Sequence, residues 1–441
     1  MNLKHISKIV FPMLLVIGFS ACEIEKIEDP NNPSVGAITG NASLSEIQNL
    51  VDGTEAAMRI NLGFYYDGVG AIGREIYRFS TSDPRFTSDL LGKGSAVLDN
   101  NTFYTTNPYA ARYRAIKNAN LLLEAVDNTK ALTSDEQRNA ARGFANTIKA
   151  YQLLLVWVQQ YDNGIRVDVA DPNNLGPFVG QGNQQEGLRA IGTLLDQGNT
   201  QLNSGGSEFP FGLSSGFNGF DTPSSFGKFN RALQARVQAY LESWDDVLTA
   251  LNGSFFDLTG GNNTGVYHPF STAGGDELNP QWFPLGATGE SRVVQPSWVT
   301  DAEAGDTRLS KATLRTDTEF QDGLQSDYDL TVYASNSSSI PIIRNEELIL
   351  LYAEAKIQKN DLVAGADALN TIRNSAGLPD YSGANTKDAL IDEMLKQRRY
   401  SLFGEGHRWV DMRRYNRLGT LPIDRPGDDV WVKYPRPANE D

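Results

Sequence analysis

Apolar residues recur at helical spacing over most of the chain. Between residues 43 and 62, Leu44, Ile47 and Val51 fall on one face, which is the repeat of an amphipathic helix. The same repeat predicts helices over 109–126, 134–160, 188–202, 225–242, 243–251, 345–358, 361–376, 386–403 and 406–418. Most of these helices follow one another as pairs, so we expect a mainly α-helical fold.

Small residues at the expected crossing points make these pairs resemble tetratricopeptide repeats. Segments 231–248 and 353–370 each carry alanines in this arrangement, although their spacing drifts from the usual ~34 residues. Capping signals set several boundaries: Thr133 and Glu136 form the pattern of a capping box, and Asn360-Asp361 is the pattern of a turn followed by an N-cap. The segment 151–158 is almost entirely apolar, which predicts a central, buried helix.

Two long stretches, about 63–108 and 252–344, lack a helical repeat and are rich in Gly, Asn, Thr and Ser. Loops of this length in a compact protein are usually functional or disordered. Both stretches also hold many aromatic residues, and disordered segments are poor in aromatics. We therefore expect ordered, loop-rich insertions that bind a ligand.

The N-terminus has the pattern of an export signal. A basic start with Lys4 and Lys8 precedes a short apolar run and the sequence Phe19-Ser20-Ala21-Cys22. The run is shorter than the roughly 20 residues that span a bilayer. Cys22 is the only cysteine of the 441 residues, so no disulfide can form within the chain.

The sequence Phe19-Ser20-Ala21-Cys22 resembles a bacterial lipobox, in which the cysteine receives a diacylglycerol. We expect a signal peptide over 1–21, lipidation of Cys22 and a flexible tether over 22–42 that is rich in acidic residues, Pro and Asn. A plain secretory signal cleaved near Ala21 is the alternative.

Composition restricts the chemistry. The net charge of −15 argues against nucleic acid as a partner. Of three histidines, His5 lies in the signal, and His268 and His407 alone cannot build a His-rich zinc site or a recognisable catalytic triad. No phosphate-binding loop and no calcium loop has the required spacing. We expect a non-enzymatic protein without cofactor, although a structural calcium ion stays open.

The C-terminal quarter carries a dense series of motifs. These are Arg344-Asn345-Glu346-Glu347-Leu348, Leu369-Asn370-Thr371-Ile372-Arg373, the block from Gln397 to Arg414, and the ending Tyr434-Pro435-Arg436-Pro437. They resemble the SusD/RagB family of Bacteroidetes nutrient-uptake lipoproteins. Within the block, Arg398, Glu405, Arg408, Asp411 and Arg413 can pair with one another and with helix-end carbonyls, so we interpret it as structural.

The resemblance implies one SusD-like α-helical domain over 43–441, lipid-anchored and exposed at the surface of the outer membrane. It implies a SusC-like, TonB-dependent β-barrel transporter as partner. It also implies capture of oligosaccharide or polysaccharide for that transporter, or of peptide in some branches. A surface glycoside hydrolase and a peptide-capturing or purely structural lid are the alternative functions.

A glycan site needs aromatic platforms and planar hydrogen-bonding groups. By the resemblance, that site lies on loops from the two aromatic-bearing stretches. The main candidate is Trp282, between two prolines in Asn279-Pro280-Gln281-Trp282-Phe283-Pro284. The other candidates are Tyr65, Tyr66, Tyr77, Arg85, Tyr267 and Trp298. Aromatics favour a neutral, β-glucan-like sugar, whereas Arg74, Arg78, Arg85 and Arg292 keep an acidic polysaccharide open.

Overall fold

A computed structural model describes residues 35–440 and confirms a mainly α-helical fold. The helices are α1 (Val35–Gly40), α2 (Leu44–Arg59), α3 (Leu62–Ile72), α4 (Phe103–Asn128), α5 (Asp135–Gln160), α6 (Gln184–Asn203), α7 (Pro223–Tyr240), α8 (Trp244–Asn252), α9 (Pro296–Thr300), α10 (Asn345–Gln358), α11 (Leu362–Ser375), α12 (Lys387–Ser401) and α13 (Arg408–Arg414). The strands are β1 (Ile76–Ser80), β2 (Ile165–Arg166), β3 (Phe178–Val179), β4 (Gly265–His268), β5 (Glu290–Val294), β6 (Ala312–Gln321), β7 (Leu324–Leu330) and β8 (Ile340–Arg344).

The signal peptide, Cys22 and most of the expected tether lie outside the described residues. The tether was expected to extend to residue 42, but residues 35–40 form α1, which packs against α4. Within residues 35–440, every helix is too short or too polar to cross a bilayer.

Consecutive helices pack side by side along the chain: α4 on α5, α5 on α6, α6 on α7, and α10 on α11. Small residues allow the closest approach. A β-carbon at Gly143 of α5 would lie 2.6 Å from Leu202 of α6, and one at Gly198 of α6 would lie 3.0 Å from Thr147 of α5. The segment 151–158 of α5 is buried throughout, which confirms the predicted central helix.

Capping side chains define the helix starts, and the predicted cap of α5 is wrong by one residue. Ser134, not Thr133, is the N-cap of α5 and accepts a hydrogen bond from the amide of Gln137. Thr133 instead donates its amide to the Gln137 side chain at 2.8 Å. Asp361 caps α11 as predicted and accepts from the amide of Ala364. A serine and a threonine side by side offer equivalent caps, so the sequence pattern left the boundary uncertain by one residue.

The two stretches interpreted as loop-rich contain regular structure that the sequence did not predict. The first holds α3 and β1, and the second holds strands β4 to β8. Strands β1, β5, β7 and β6 form one four-stranded sheet in that order, in which Tyr77 pairs with Val293 and Arg78 with Arg292. Strand β1 is buried at all five positions. It therefore lacks the alternation of apolar and polar residues that identifies a half-buried strand.

The C-terminal block is a set of buried ion pairs, as predicted. Arg398 of α12 donates to Asp411 of α13 at 2.7 Å. Arg414 contacts Glu354 of α10 at 2.8 Å, and Glu405 accepts from Arg344 at 2.6 Å. These contacts fix α10, α12 and α13 to one another.

The chain after α13 returns to the end of the central helix α5. Arg413 donates to the carbonyl of Val158 at 3.0 Å, and its guanidinium lies over the rings of Trp157 and Tyr161. The amide of Tyr434 donates to the carbonyl of Gln159 at 2.8 Å. The last residues of the described chain therefore cover the C-terminal end of α5.

Candidate functional site

The two aromatic-bearing stretches meet at a surface cleft of about 360 Å³. The first stretch and the end of α2 supply one side of the cleft, and the segment 277–292 supplies the other. Its lining includes Arg59, Asn61, Phe64, Asp67, Arg78, Phe86, Glu277, Pro280 and Arg292. The cleft is thus where the sequence placed a ligand, although several of the individual residues differ.

Backbone geometry brings the two sides together. Asn61, between α2 and α3, adopts a left-handed conformation with φ of 54°, which asparagine tolerates better than most residues. At Gly63 an added β-carbon would lie 2.9 Å from the β-carbon of Pro280, so a larger residue would push the 279–284 loop outwards. The side-chain amide of Gln281 donates to the carbonyl of Gly63 at 3.2 Å and holds this approach.

Two arginines and one carboxylate form the floor of the cleft. The antiparallel pairing of β1 and β5 sets Arg78 opposite Arg292. Both guanidinium groups lie over the ring of Phe283, at 5.0 Å and 4.7 Å from its centroid. Asp67 of α3 accepts from Arg292 at 2.7 Å and lies 3.6 Å from Arg78. The carboxylate stabilises two cations that would otherwise repel each other.

Glu290 neutralises Arg78 from the opposite side. Partial burial raises the pKa of the Glu290 carboxyl. Hydrogen bonds from Ser80, Ser82 and Arg78 outweigh that effect and lower its pKa to about 2. Glu290 is therefore ionised at neutral pH and helps hold Arg78 in place. The floor of the cleft combines fixed planar donors with little net charge.

Phenylalanines form the wall of the cleft. Phe64 of α3 packs against Phe86 and Phe103, with ring centroids 6.5 Å and 5.2 Å apart. Phe64 and Phe103 are half-buried, so part of each ring faces solvent. Phe86 also lies under the Arg78 guanidinium, 5.1 Å away. This wall offers apolar area beside the arginine donors.

Trp282, the main candidate, is half-buried and packs partly against the core. Its loop is held by Asn279, whose amide donates to the carbonyl of Asn336 at 2.7 Å and whose side chain donates to Ser338 at 2.7 Å. The loop is therefore ordered. Pro280 lines the cleft and Gln281 contacts Gly63 beside it, whereas Trp282 lies next to the cleft and is not one of its lining residues. Trp282 stays partly exposed at this edge.

Arg85 and Tyr267 lie at the surface but have structural partners. Arg85 forms a bidentate pair with Asp83 and lies over the ring of Phe103 at 4.9 Å. Tyr267 is half-buried and donates its hydroxyl to the carbonyl of Asn263. Tyr267 lines a different cavity, of about 220 Å³, with Glu55 and His268. Neither residue lines the cleft.

The remaining four candidates were predicted to contact a ligand, but their rings are buried inside the protein. Tyr65 and Tyr66 of α3 are 3% and 5% exposed, and Tyr77 of β1 is 2% exposed. Trp298 is fully buried, stacked on Phe403 at 4.1 Å, and donates to the carbonyl of Arg399. These side chains fill the core, so they present no free ring face to a ligand in this structure.

Sequence reasoning missed Phe64 and Arg59 as cleft residues. Arg59, in the last turn of α2, pairs with Asp276 at 2.6 Å and so links the two sides of the cleft. The available signal was position: both residues lie close to the predicted boundary between the helix over 43–62 and the first aromatic-bearing stretch. Among residues 35–440, no group of three or more His, Cys, Asp and Glu side chains is arranged to hold a metal ion.

The amino-acid sequence is similar to proteins of one known family. A family model described as the SusD family matches residues 298–437. SusD-like protein P38 of Formosa agariphila is 31% identical over 114 residues, which is 22% of this chain and 23% of that protein. The chain therefore matches under a quarter of the length of this curated relative.

Solved structures resemble almost the whole chain. A SusD superfamily protein of Bacteroides vulgatus is 16% identical with a TM-score of 0.67, covering 90% of this chain and 96% of that one. Surface glycan-binding protein A of Bacteroides thetaiotaomicron, in complex with laminarihexaose, is 15% identical with a TM-score of 0.67, covering 90% and 97%. At such identities the likeness shows the fold. The C-terminal region, residues 298–437, therefore matches the SusD family, and the chain shares the fold of these solved structures.

Proposed function

We propose that this protein is a cell-surface glycan-binding lipoprotein, anchored in the outer membrane through Cys22. It captures oligosaccharide or polysaccharide and delivers it to a SusC-like, TonB-dependent β-barrel transporter. The cleft at residues 59–86 and 277–292 is the proposed capture site. The match of residues 298–437 to the SusD family and the fold shared with a surface glycan-binding protein in complex with laminarihexaose support this proposal.

The observation that carries the proposal is the composition of the cleft. Half-buried aromatic rings lie beside guanidinium donors that are already fixed by carboxylates. Rings of this kind suit the C–H faces of sugars, and fixed planar donors suit their hydroxyls without a large loss of side-chain entropy.

A hydrolase remains the second candidate, because Asp67 and Glu277 both line the cleft. Glycoside hydrolysis needs one carboxyl that acts as an acid and a second that acts as base or nucleophile. Asp67 accepts two hydrogen bonds from Arg292, which favours a structural role. Incubation with polysaccharide should release no reducing ends; a steady release that is lost on Glu277→Gln would establish the hydrolase instead.

Trp282→Ala should weaken glycan binding about tenfold, since removal of a well-placed aromatic contact costs more than ~1 kcal/mol. The measurement is isothermal titration with laminarihexaose and with an alginate hexasaccharide, which represent the neutral and acidic classes. Trp244→Ala is the matched control, since Trp244 is equally half-buried but lies on α8, outside both chain segments that form the cleft. Equal losses in both variants, or none in either, would contradict the assignment of Trp282.

Cys22→Ser should release the protein from the membrane fraction into the soluble exported fraction, because the thiol that receives the lipid is absent. The same strains test the transporter: affinity purification of the wild-type protein should recover a large TonB-dependent β-barrel protein in near-stoichiometric amount. Retention of Cys22→Ser on the membrane would refute lipid anchoring at this residue. Recovery of the protein without any β-barrel partner would refute delivery.

A further inference from the structure

One arginine of the C-terminal block has no protein partner. Arg398, Arg413 and Arg414 all donate to carboxylates or carbonyls. Within the described part of the chain, Arg408 makes no hydrogen bond and no ion pair. Within the block, the Arg408 guanidinium is therefore the cation that forms no hydrogen bond or ion pair with the rest of the described chain.

Among the described residues, the carboxylates that attract Arg408, those of Asp411 and Glu75, form no ion pair with it. Asp411 already accepts from Arg398 at 2.7 Å and from Arg414 at 3.0 Å. Burial raises the pKa of Glu75 to about 8, although Arg408 acts against this effect. Burial and then Arg399 lower the pKa of Arg408 to about 10. Arg408 therefore keeps its charge at neutral pH in a partly desolvated position, which is unfavourable without a counterion.

Arg408 opens into a surface groove of about 530 Å³ between α12 and α13. Lys396, Arg399, Arg417 and one carboxylate, Asp392, also line this groove, and Leu395 and Met412 give it apolar area. Lys396 pairs with Glu303 at 3.0 Å. Arg399 pairs with Asp301 and Arg417 with Asp392, but these carboxylates are 55% and 61% exposed. Such exposed pairs contribute little and can rearrange. The groove thus holds four cations and one lining carboxylate in a protein whose net charge is −15, and Arg408 is the cation among them without an ion pair.

We propose that this groove binds a carboxylate, sulfate or phosphate group of a small ligand, with Arg408 and Arg417 as donors. A guanidinium presents two parallel N–H groups that match two oxygens of such an anion. The anion supplies the counterion that Arg408 lacks within the protein. The groove shares no lining residue with the cleft at residues 59–86 and 277–292, so this proposal does not depend on glycan capture.

The test uses the purified full chain in a low-salt buffer without oxyanions, because screening weakens the contact. Isothermal titration with sodium phosphate, sodium sulfate and sodium glucuronate should show binding of at least one ion. Arg408→Gln should lower that affinity about tenfold or more, and Arg417→Gln several-fold, as expected for loss of a charge-assisted hydrogen bond. Arg142→Gln, which removes a partly exposed arginine of α5 that pairs with Asp127 of α4, should leave it unchanged.

A second arm separates a soluble ligand from a lipid headgroup. Co-sedimentation with phosphatidylglycerol vesicles, compared with phosphatidylcholine vesicles, should show binding that is lost in Arg408→Gln if the oxyanion belongs to a lipid. Because Arg417 is about one-third exposed, Arg417→Gln should fold normally and decides the question if Arg408→Gln does not fold. No binding in either arm, or the same affinity in wild type and Arg417→Gln, overturns the proposal.

Discussion

Glu347→Leu is expected to lower the free energy of unfolding by about 3–5 kcal/mol, because it leaves Arg236 as an unpaired charge in the core. Glu347 is 1% exposed and accepts two hydrogen bonds from Arg236, at 2.7 Å and 2.6 Å. Arg236 is 5% exposed and also donates to the carbonyl of Ile342. Urea unfolding at pH 7, followed by circular dichroism, measures the change.

The double variant Arg236→Met/Glu347→Leu is the control for this pair. Apolar residues of similar volume at both positions should recover most of the lost stability, since no charge then remains in the core. His407 cannot replace Arg236 at neutral pH. Burial lowers the pKa of His407 to about 4, although Glu347, 3.8 Å away, acts against this effect. A double variant as unstable as the single one would show that shape, not charge, is decisive here.

The Arg236–Glu347 pair should also make the stability of the wild-type protein fall at acid pH. Burial raises the pKa of Glu347, but the attraction of Arg236 outweighs it and lowers the pKa to about 2. Because this value lies below the ordinary 4.5, the pair contributes fully above pH 4.5 and is lost as pH falls from 4.5 towards 2. Glu347→Leu should therefore lose less stability than wild type across that interval.

Asp67→Asn should have the second-largest effect, because one substitution removes the charge that two buried arginines share. We expect a loss of about 3 kcal/mol in the free energy of unfolding. The Arg78 and Arg292 guanidiniums, both over Phe283, would repel each other and shift that ring. Glycan affinity should then fall about tenfold, since the floor of the cleft loses its fixed donors.

Asp83→Asn is the matched control for Asp67→Asn. Asp83 also forms a bidentate pair with an arginine, but the side chain of its partner Arg85 is 46% exposed. An exposed pair of this kind contributes at most about 1 kcal/mol. Equal effects of the two substitutions on stability would show that Asp67 does not hold the cleft. Normal glycan affinity of folded Asp67→Asn would show that the arginine floor does not bind the ligand.

Helices could be predicted from the sequence because their repeat and their caps are local. Helix α10 was predicted at its observed bounds, Asn345–Gln358, and α11 begins directly after its expected cap at Asp361. The sheet could not be predicted in this way. Strand β1 pairs with β5, more than 200 residues later in the chain. The sequence of either segment alone does not indicate such a long-range pairing.

The sequence indicated which two chain segments form the cleft, but only some of the residues that line it. Aromatic content located the two stretches that form the cleft, but a tyrosine or tryptophan suits a core as well as a binding surface. Tyr66 and Trp298 proved to be core, whereas Phe64 lies in the cleft. Which ring is exposed depends on the packing of α3 against β1 and the C-terminal segment, and that packing is not local information.

The return of the C-terminal segment to α5 bears on the order of events during folding. Arg413 reaches the carbonyl of Val158 across 255 positions of the chain, and Arg166 pairs with Glu440 at 2.8 Å. Contacts so distant in sequence slow folding, because a long loop must close before they form. Until the final residues emerge, the end of α5 has no cover for Trp157 and its terminal carbonyls. The end of the central helix α5 is therefore completed only when residues 413–440 have docked, so a chain that lacks this segment would leave Trp157 exposed.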